Sequence, residues 1–550
     1  MSGVESGAGV TSASLRSDAM ATTSADAGSR VAGAAPEPGL TPRGTPPPLR
    51  RADPGPVARL GAPPPSDRLR GWLVTAGVVL VAALLRFYDL GEPTDRGTPV
   101  FDEKHYVPQA WDMVRNGGVE SNPGYEKIVH PPLAKQLIAL GQMVFGYDGV
   151  GWRASAALAG VLTVLLVVRA GRRLTRSTAL GGLAGLLLCA DGLSHVQSRM
   201  GMLDVFSALF VVAAFAALLA DRDDVRGRMA RVVAQGRVDD TVWGPRWGVR
   251  WWRVAAGVSL GLACAVKWNG AYYVAAFGLL CVLWDVSVRR RAGVARPWVG
   301  TMVRDVAPAL WALVLIPALT YLGSWWAWFG SETGIDRHEV GREIGTGGAF
   351  AWVPEALRSL WYYHGQVLAF HENLTTQSAG AHPWESKPWT WPMGLRPMLY
   401  RYADDATGCG ETDCVSAVML IGTPALWWPA IPVLLWGLWR AVTRVDWRWT
   451  AVLVGYGAGF VPWFFNIDRQ MYFFYMMPVV PFLVLGVVLA MGQMLGHSRM
   501  SARRRRNGLL VVATWVALIG VNFVWLWPIL VGDPITAAHW QAELWLPSWR

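Results

Sequence analysis

The chain has 550 residues, of which 53% are hydrophobic and only 16% are charged. A soluble protein carries about a quarter charged residues, and here the apolar residues form blocks of roughly 20, long enough to cross a bilayer. The net charge of +11 comes from arginines in short loops between these blocks, which argues against nucleic acid as a partner.

Residues 1–68 are rich in Ala, Gly, Ser, Pro and Thr and contain no apolar run. This composition predicts a disordered N-terminal tail. No signal-peptide core follows Met1, so the first apolar block is expected to act as an uncleaved anchor.

An all-α membrane domain with about eleven transmembrane helices is predicted over residues 69–531. The expected spans are residues 71–90, 151–169, 178–192, 202–220, 254–270, 271–286, 305–325, 424–440, 450–465, 472–494 and 508–531.

Loop charge predicts the orientation. Five alternate loops hold 25 arginines, whereas the short loops between them hold one basic residue each. The arginine-rich loops and the N-terminus are therefore expected in the cytoplasm. The same orientation places two long segments on the outer side, residues 91–150 and 326–423. An odd number of spans also places the C-terminal tail, residues 532–550, outside.

Two adjacent acids, Asp102 and Glu103, lie shortly after the first span, close to His105. A carboxylate pair near the outer interface suits acid–base catalysis. Two other interpretations stay open at this point: Asp102 could cap a helix that begins at Glu103, or these acids and His105 could bind a metal ion.

Further along the first outer segment, His130 precedes Pro131-Pro132. The two prolines force an extended entry, after which a helix can begin. His130 could brace this loop or contact a substrate, and the local sequence does not decide between the two.

Four cations occupy outer ends of spans, against the prevailing charge pattern. They are Arg153, Arg199, Lys267 and Arg469. A cation at membrane depth is costly and usually has a partner or a function. Nearby aspartates could pair with each cation singly, but four cations on the same side favour an anionic ligand such as a phosphate.

The second outer segment contains the run His382-Pro383-Trp384 and further Trp and Pro residues up to Pro392. Such a rigid aromatic strip could stack on a sugar or peptide, or could simply pack as a layer at the interface. In the same segment, Cys409 and Cys414 flank a short polar loop, where a local disulfide is plausible if the loop faces an oxidising space.

An ordered set of short motifs resembles the protein O-mannosyltransferase family. The matching residues are Arg86-Phe87-Tyr88, Phe101-Asp102-Glu103, His105-Tyr106, His130-Pro131-Pro132-Leu133-Ala134-Lys135, Gly151-Trp152-Arg153, Asp191-Gly192, Ser198-Arg199, Leu203-Asp204, Val266-Lys267-Trp268, His382-Pro383-Trp384, Gly422-Thr423-Pro424, and Arg469 with Tyr472 and Tyr475. The set runs from about residue 70 to 490. The composition is similar to actinobacterial members, and the β-trefoil that eukaryotic members insert into the second outer segment is missing here.

The resemblance implies a GT-C fold and transfer of mannose from a polyprenyl-phosphate-mannose lipid to Ser or Thr hydroxyls of secreted or membrane proteins. The reaction is expected at the outer face of the plasma membrane, with the export machinery as a candidate partner.

The family's chemistry also implies site roles. Asp102 matches the catalytic acid–base position, Glu103 would assist or orient the acceptor, and a single displacement would invert the anomeric centre. The leaving phosphate would be bound by Arg153, Lys267 and Arg469, with Arg199 and Tyr472 in secondary positions. Acceptor or sugar contacts are expected from His105, His130, His382 and Trp384. No metal cofactor is required by this scheme, although a divalent ion stays an open alternative.

Two other functions compete with this one. A GT-C transferase could use the same donor with a lipid or glycan acceptor. A secondary transporter would also place charges within the membrane, but such proteins commonly contain internal repeats, and none is evident here.

Overall fold

The computed structural model describes residues 56–61, 63, 65–120, 129–380, 382–496 and 500–550. Among these residues, seven helices are long and apolar enough to cross a membrane. They are Arg68–Phe87, Gly149–Thr175, Asp204–Ala234, Gly270–Ala292, Val306–Ser324, Pro424–Thr443 and Ala502–Trp525. The shorter apolar helices are Leu133–Phe145, Thr178–Cys189, Trp251–Val266 and Val480–Leu495.

Each of the eleven expected spans contains a helix. The expected break between the fifth and sixth spans falls where the helix Trp251–Val266 ends and the helix Gly270–Ala292 begins. The span expected at 450–465 is the helix Trp447–Phe460, followed by a 3₁₀ turn. Within Val306–Ser324, the residues Trp311–Leu315 are π-helical. This multi-helix architecture agrees with a polytopic membrane protein.

Local sequence fixes several helix ends. Asp148 begins the helix Gly149–Thr175, and its carboxylate accepts a hydrogen bond from the Gly151 N–H at 2.8 Å. Asp191 caps the short helix Gly192–Gln197 in the same way, accepting from Ser194 N–H at 2.8 Å. These caps satisfy N–H groups that the first helical turn leaves unpaired.

The first outer segment folds into two helices, Glu103–Arg115 and Leu133–Phe145. The second of these packs closely on the helix Gly149–Thr175, since a Cβ on Gly141 would lie 2.4 Å from the Gly151 carbonyl oxygen. The predicted spans did not include Leu133–Phe145, which is apolar but short. The two helices hold the residues around Asp102 against the end of the bundle.

The second outer segment contains the helix Glu355–Asn373 and the strands Met398–Ala403 and Cys414–Leu420. The strands pair antiparallel, with Met398 opposite Leu420. A third strand, Ile535–Thr536, pairs with the start of the second. The domain is predominantly helical, as predicted, and a small three-stranded sheet of these short strands packs with the helices.

The C-terminal residues belong to this outer layer. Trp549 is buried, and Leu395 accepts a hydrogen bond from Ser548 Oγ at 2.5 Å. The helix Ala537–Glu543 follows directly on the third strand. The predicted C-terminal tail, residues 532–550, thus packs on the rest of the protein, because Trp540 and Trp549 are buried in its hydrophobic core.

The predicted disordered tail lies mostly outside the described residues, which begin at 56. Its last part contains a short helix, Pro56–Arg59, followed by the buried Leu60. Leu60 packs into an apolar cluster with Val225 and Trp247. The predicted boundary at residue 68 is therefore too late, because a single apolar side chain in a polar stretch gives no periodic signal.

Candidate active site

A large cavity of about 710 Å³ opens where the two outer segments meet the ends of the membrane helices. Side chains with polar groups line it, and they come from widely separated parts of the chain. They include Asp102, His105, His130, Lys267, His371, Arg469 and Tyr472. Six of these seven are predicted site residues, and His371 is the exception.

Asp102 lies in the turn that begins the helix Glu103–Arg115 and lines the cavity. The preceding Phe101 has a φ of 50° and stacks on Tyr400, with ring centroids 4.2 Å apart. This anchor sets the backbone at Asp102, whose side chain makes no capping hydrogen bond. The interpretation of Asp102 as a helix cap is therefore not supported.

The electrostatic surroundings of Asp102 favour a base that can take up a proton near neutral pH. Burial raises the pKa of Asp102 to about 6, although nearby His105 and Lys267 act in the opposite direction. A carboxyl group in this range is a stronger base than an exposed aspartate and is still largely ionised at pH 7.

Glu103 points away from the cavity. It is fully buried and accepts hydrogen bonds from Arg153 Nε and Nη2, both at 2.9 Å, and from the Gly201 N–H at 2.7 Å. Arg153 also donates to the carbonyl oxygens of Leu90 and Pro93. The structure thus joins two predicted site residues in an ion pair outside the cavity lining.

Arg199 is also placed outside the cavity lining. Its guanidinium donates to the backbone carbonyl oxygens of Tyr88 and Asp89. Its side chain is buried. Arg153 and Arg199 are thus engaged by Glu103 and by backbone carbonyl oxygens, not by the aspartates considered from the sequence, and neither lines the cavity.

Lys267 lines the cavity and is paired with Asp204. Its ammonium group lies 2.9 and 2.8 Å from the two carboxylate oxygens of Asp204 and over the ring of Phe474 at 5.4 Å. Lys267 sits in the break between two membrane helices, where the backbone turns. Lys267 therefore has an aspartate partner, as the sequence analysis considered, and it also lines the cavity.

Arg469 lines the cavity and is held by His371. Arg469 Nη1 donates to the His371 carbonyl oxygen at 2.7 Å, and Nη2 lies 3.1 Å from His371 Nδ1. An arginine can only donate, so Nδ1 is the acceptor and the proton of a neutral ring is on Nε2. His371 Nε2 then donates to the Val129 carbonyl oxygen at 3.1 Å.

The charge states of the histidines agree with this network. Burial and the charge of Arg469 lower the pKa of His371 to about 4. Burial also lowers the pKa of His130 well below its usual range. The His130 ring lies 5.6 Å from that of His371 and 6.1 Å from that of Tyr106. His130 therefore faces the cavity as a neutral group.

The aromatic strip at residues 382–392 lies beside the cavity. None of these described residues lines the cavity, although the His382 ring is 5.3 Å from that of Tyr472, which does. The Trp384 ring packs under the Arg396 guanidinium at 4.9 Å, and the Trp384 backbone N–H donates to His382 Nδ1. Trp391 is fully buried. In this arrangement, His382 and Trp384 support the cavity wall.

Backbone hydrogen bonds join the residues just before this strip to the loop that carries Arg469, and the strip itself adds a side-chain hydrogen bond. Thr376 N–H donates to the Asp468 carbonyl oxygen at 3.0 Å, and Gln470 N–H donates to the Leu374 carbonyl oxygen at 3.1 Å. Lys387 Nζ donates to the Arg469 carbonyl oxygen at 3.0 Å. The second outer segment thus positions Arg469. Nearby, Cys409 and Cys414 form a disulfide, with Cα atoms 5.8 Å apart.

Several cavity residues were not among the predicted site residues. They include His371, Glu372, Trp268, Asn269, Gln470 and Tyr475. Trp268 and Tyr475 stand within motifs that carried the family resemblance, which was the available signal. His371 gave none, because its role depends on contact with Arg469, 98 positions later in the chain. Within the described part of the chain, no group of three or more His, Cys, Asp or Glu residues could hold a metal ion.

Comparison with solved structures defines the class of protein. The chain is similar in fold to the protein O-mannosyltransferase Pmt1–Pmt2 complex of Saccharomyces cerevisiae bound to the sugar donor, with a TM-score of 0.69 and 16% identity over 89% of this chain and 95% of that one. The bundle of apolar helices is therefore that of a polytopic membrane protein with the GT-C fold.

Sequence comparisons identify the family. Residues 149–329 match the model of the dolichyl-phosphate-mannose-protein mannosyltransferases, and residues 356–549 match the C-terminal four-transmembrane region of protein O-mannosyltransferases. The chain belongs to the protein O-mannosyltransferase family.

Two bacterial relatives carry the name polyprenol-phosphate-mannose–protein mannosyltransferase. The one from Mycolicibacterium smegmatis is 54% identical over 90% of this chain and 96% of the relative. The one from Corynebacterium glutamicum is 44% identical over 89% of this chain and 96% of the relative. The predicted family is confirmed, and the alternative of a secondary transporter is wrong.

Proposed function

We propose that this enzyme transfers mannose from polyprenyl-phosphate-mannose to Ser and Thr hydroxyls of exported proteins. The names of the relatives support the donor and a protein acceptor. One structural observation carries the site assignment: Asp102, Lys267 and Arg469 line the same cavity. The Asp102 carboxylate makes no helix-capping hydrogen bond. The transfer needs such a base and such a binding site for the leaving phosphate.

Asp102 is the general base in this proposal. As the acceptor oxygen attacks the anomeric carbon, its proton passes to the Asp102 carboxylate. A proton transfer of this kind contributes about 10²–10⁴-fold to a rate. The raised pKa of Asp102 brings the base near the operating pH, where general base catalysis is most effective.

Lys267 and Arg469 stabilise the leaving group. Breaking the bond between the anomeric carbon and the phosphate oxygen leaves negative charge on the polyprenyl phosphate. Preorganised cations lower the energy of that developing charge and need not reorganise during the reaction. Arg469 is held in place by His371, and its Nε is buried without a hydrogen-bond partner among the described residues, which leaves a donor for the phosphate.

Tyr472, His105 and His130 complete the proposed substrate contacts, because they share the cavity with Asp102. Glu103 and Arg153 are reassigned as positioning residues that fix the turn at Asp102. A single displacement by the acceptor oxygen inverts the anomeric carbon, so a β-linked donor gives an α-mannoside.

The enzyme is further proposed to lie in the plasma membrane with this cavity outside the cell. The 25 arginines of the alternate loops support this orientation. Single cysteines at exposed positions test it: a membrane-impermeant maleimide should label Gly347→Cys in intact cells and Gly227→Cys only after permeabilisation. The reverse pattern would invert the topology. Acceptors emerging from the export machinery would then meet the cavity directly.

The central experiment supplies radiolabelled polyprenyl-phosphate-mannose to membranes containing the wild type or Asp102→Ala at matched protein levels. One acceptor peptide carries Ser and Thr, and its matched control carries Ala at those positions. Label should enter only the Ser/Thr peptide, only with the wild type, and should be released by an α-mannosidase. Label in an endogenous lipid or glycan instead would favour the alternative acceptor class, and release by a β-mannosidase would contradict inversion.

A further inference from the structure

A second cavity, of about 330 Å³, lies far from the proposed active site. Its charged lining consists of seven arginines and one aspartate: Arg176, Arg222, Arg226, Arg291, Arg440, Arg444, Arg448 and Asp446. We call it the arginine cavity. Leu60, Leu174, Val445 and Trp447 add apolar walls.

The two cavities lie at opposite ends of the same helices. The helix Asp204–Ala234 begins at the partner of Lys267 and reaches Arg222 about 27 Å later, at 1.5 Å per residue. The helix Gly270–Ala292 begins beside the active-site residue Asn269 and reaches Arg291 after about 30 Å. This separation is close to the thickness of a bilayer's hydrocarbon core, so the arginine cavity opens at the other membrane face.

Buried arginines elsewhere on this face are matched with carboxylates. Arg250 and Arg253 share Asp221 and Asp285 in a closed network, with Arg250 Nη1 2.9 Å from Asp285. Arg289, likewise buried, donates two hydrogen bonds to Asp305 at 2.9 Å. These three buried arginines of this face are therefore neutralised by carboxylates.

The arginine cavity departs from that pattern. Its aspartate, Asp446, is engaged by Arg448 Nε at 2.9 Å, and the neighbouring Asp223 is held by both guanidinium nitrogens of Arg176. The side chains of Arg226 and Arg291 make no hydrogen bond or ion pair with any residue that the structure describes. Several arginines thus line the cavity, while Asp446 and Asp223 are already hydrogen-bonded to Arg448 and Arg176.

Arg222 adds a desolvated cation to the same space. Its side chain is buried, and its guanidinium carbon lies 3.2 Å from the centroid of the Trp447 ring and 5.6 Å from that of Trp284. The nearest carboxylate, on the adjacent Asp223, is 3.9 Å away. The tryptophan faces fix the guanidinium but do not neutralise it, and an unneutralised buried charge is costly.

We propose that the arginine cavity binds a phosphate group. Guanidinium groups pair with phosphate oxygens through two parallel hydrogen bonds, and a phosphate would neutralise Arg222, Arg226 and Arg291 together. The phosphate could belong to the headgroup of an anionic lipid, whose chains would contact the apolar walls, or to a free phosphate from solution. Basic pockets between helices at this membrane face are suited to anionic headgroups.

The test compares the wild type with a cavity variant, Arg222→Gln/Arg226→Gln/Arg291→Gln. The matched control is Arg503→Gln/Arg504→Gln/Arg505→Gln, which removes three exposed arginines that do not line the cavity. Each full-length protein is reconstituted with phosphatidylglycerol, with phosphatidylcholine, or with phosphatidylcholine plus radiolabelled inorganic phosphate. Retained lipid is counted by native mass spectrometry, and bound phosphate by equilibrium dialysis.

The affinity of the wild type and the control for phosphatidylglycerol or inorganic phosphate should be at least about tenfold higher than that of the cavity variant. The reason is that each lost contact with the phosphate weakens affinity severalfold. Retention of the lipid alone identifies a headgroup site, and binding of inorganic phosphate alone identifies a soluble ligand. Equal binding by all three proteins, or equal loss in the control, overturns the proposal.

A second variant guards against misfolding. Arg226→Gln/Arg291→Gln leaves Arg222 stacked on Trp447 and removes only side chains without described ion pairs. It should melt like the wild type and still bind the phosphate probe more weakly. A folded double variant that binds both probes like the wild type also overturns the proposal.

Discussion

Glu103 and Arg153 form a fully buried ion pair in which both guanidinium donors lie 2.9 Å from carboxylate oxygens. The Gly201 N–H adds a third hydrogen bond to the same carboxylate. Because this pair fixes the first turn of the helix Glu103–Arg115, the adjacent Asp102 is directed to the cavity. Two neighbouring acids therefore have different surroundings, because Glu103 is paired with Arg153 and Asp102, the proposed base, lines the cavity.

Arg153→Met should destabilise the protein strongly, because it leaves the Glu103 carboxylate buried without its partner. Breaking a buried ion pair costs about 3–5 kcal/mol. The measurement is the melting temperature of the purified protein in detergent. Arg115→Met, at the exposed end of the helix that begins with Glu103, is the control and should change little. Unchanged melting with a raised KM for the donor would instead return Arg153 to phosphate binding.

Asp102→Asn should lower the transfer rate by about 10²–10⁴-fold, because the amide cannot accept the acceptor's proton. The substitution is nearly isosteric, and the side chain makes no cap hydrogen bond to lose, so melting should be unaffected. Initial rates with the Ser/Thr peptide measure the effect. Asp95→Asn, at an exposed site in the same outer segment, should retain full activity. An Asp102→Asn enzyme with near-normal kcat would remove Asp102 from the mechanism.

The rate should depend on pH through the ionisation of Asp102. The carboxylate is the active form, and its pKa is raised to about 6, so kcat/KM should be maximal above that pH and fall about tenfold per unit below it. His371, with a pKa of about 4, stays neutral over that range. Rates measured from pH 5 to 8 test this, with recovery of activity after return to pH 7.5 as the control. A flat profile contradicts the assignment.

Arg469→Lys should lower kcat by about 10²–10³-fold, as the loss of a preorganised donor does in other enzymes. A lysine lacks the planar fork with which Arg469 donates to the His371 carbonyl oxygen and to Nδ1, so its charge is held less firmly in place. The comparison variant is Arg358→Lys, in the second outer segment and outside the cavity lining, which should behave like the wild type. Equal activity of Arg469→Lys and wild type would show that charge alone is sufficient.

Chelation should leave the activity unchanged. Lys267 and Arg469 supply the positive charge that a divalent ion provides in other phosphate sites. The rate of the purified enzyme is measured after treatment with EDTA and again after addition of Mg²⁺ or Mn²⁺. A rate that falls with EDTA and recovers with either ion would contradict a metal-free mechanism.

Local patterns made much of the site predictable. Asp102, Lys267 and Arg469 stood out as charges close to membrane ends, where burial without a function is expensive. Arg153 and Arg199 gave the same signal. Only their contacts, with Glu103 and with backbone carbonyl oxygens, separate them from the cations of the cavity.

The sequence by itself determined the membrane class, the positions of the helices and the family, because the apolar blocks and ordered motifs are properties of short segments. Tertiary structure alone decided which charges share a cavity. Glu103 and Asp102 are adjacent in sequence, yet one is buried against Arg153 and the other faces the substrate space. His371 and the arginines of the second cavity acquire their roles through contacts between distant segments, and no local pattern encodes such contacts.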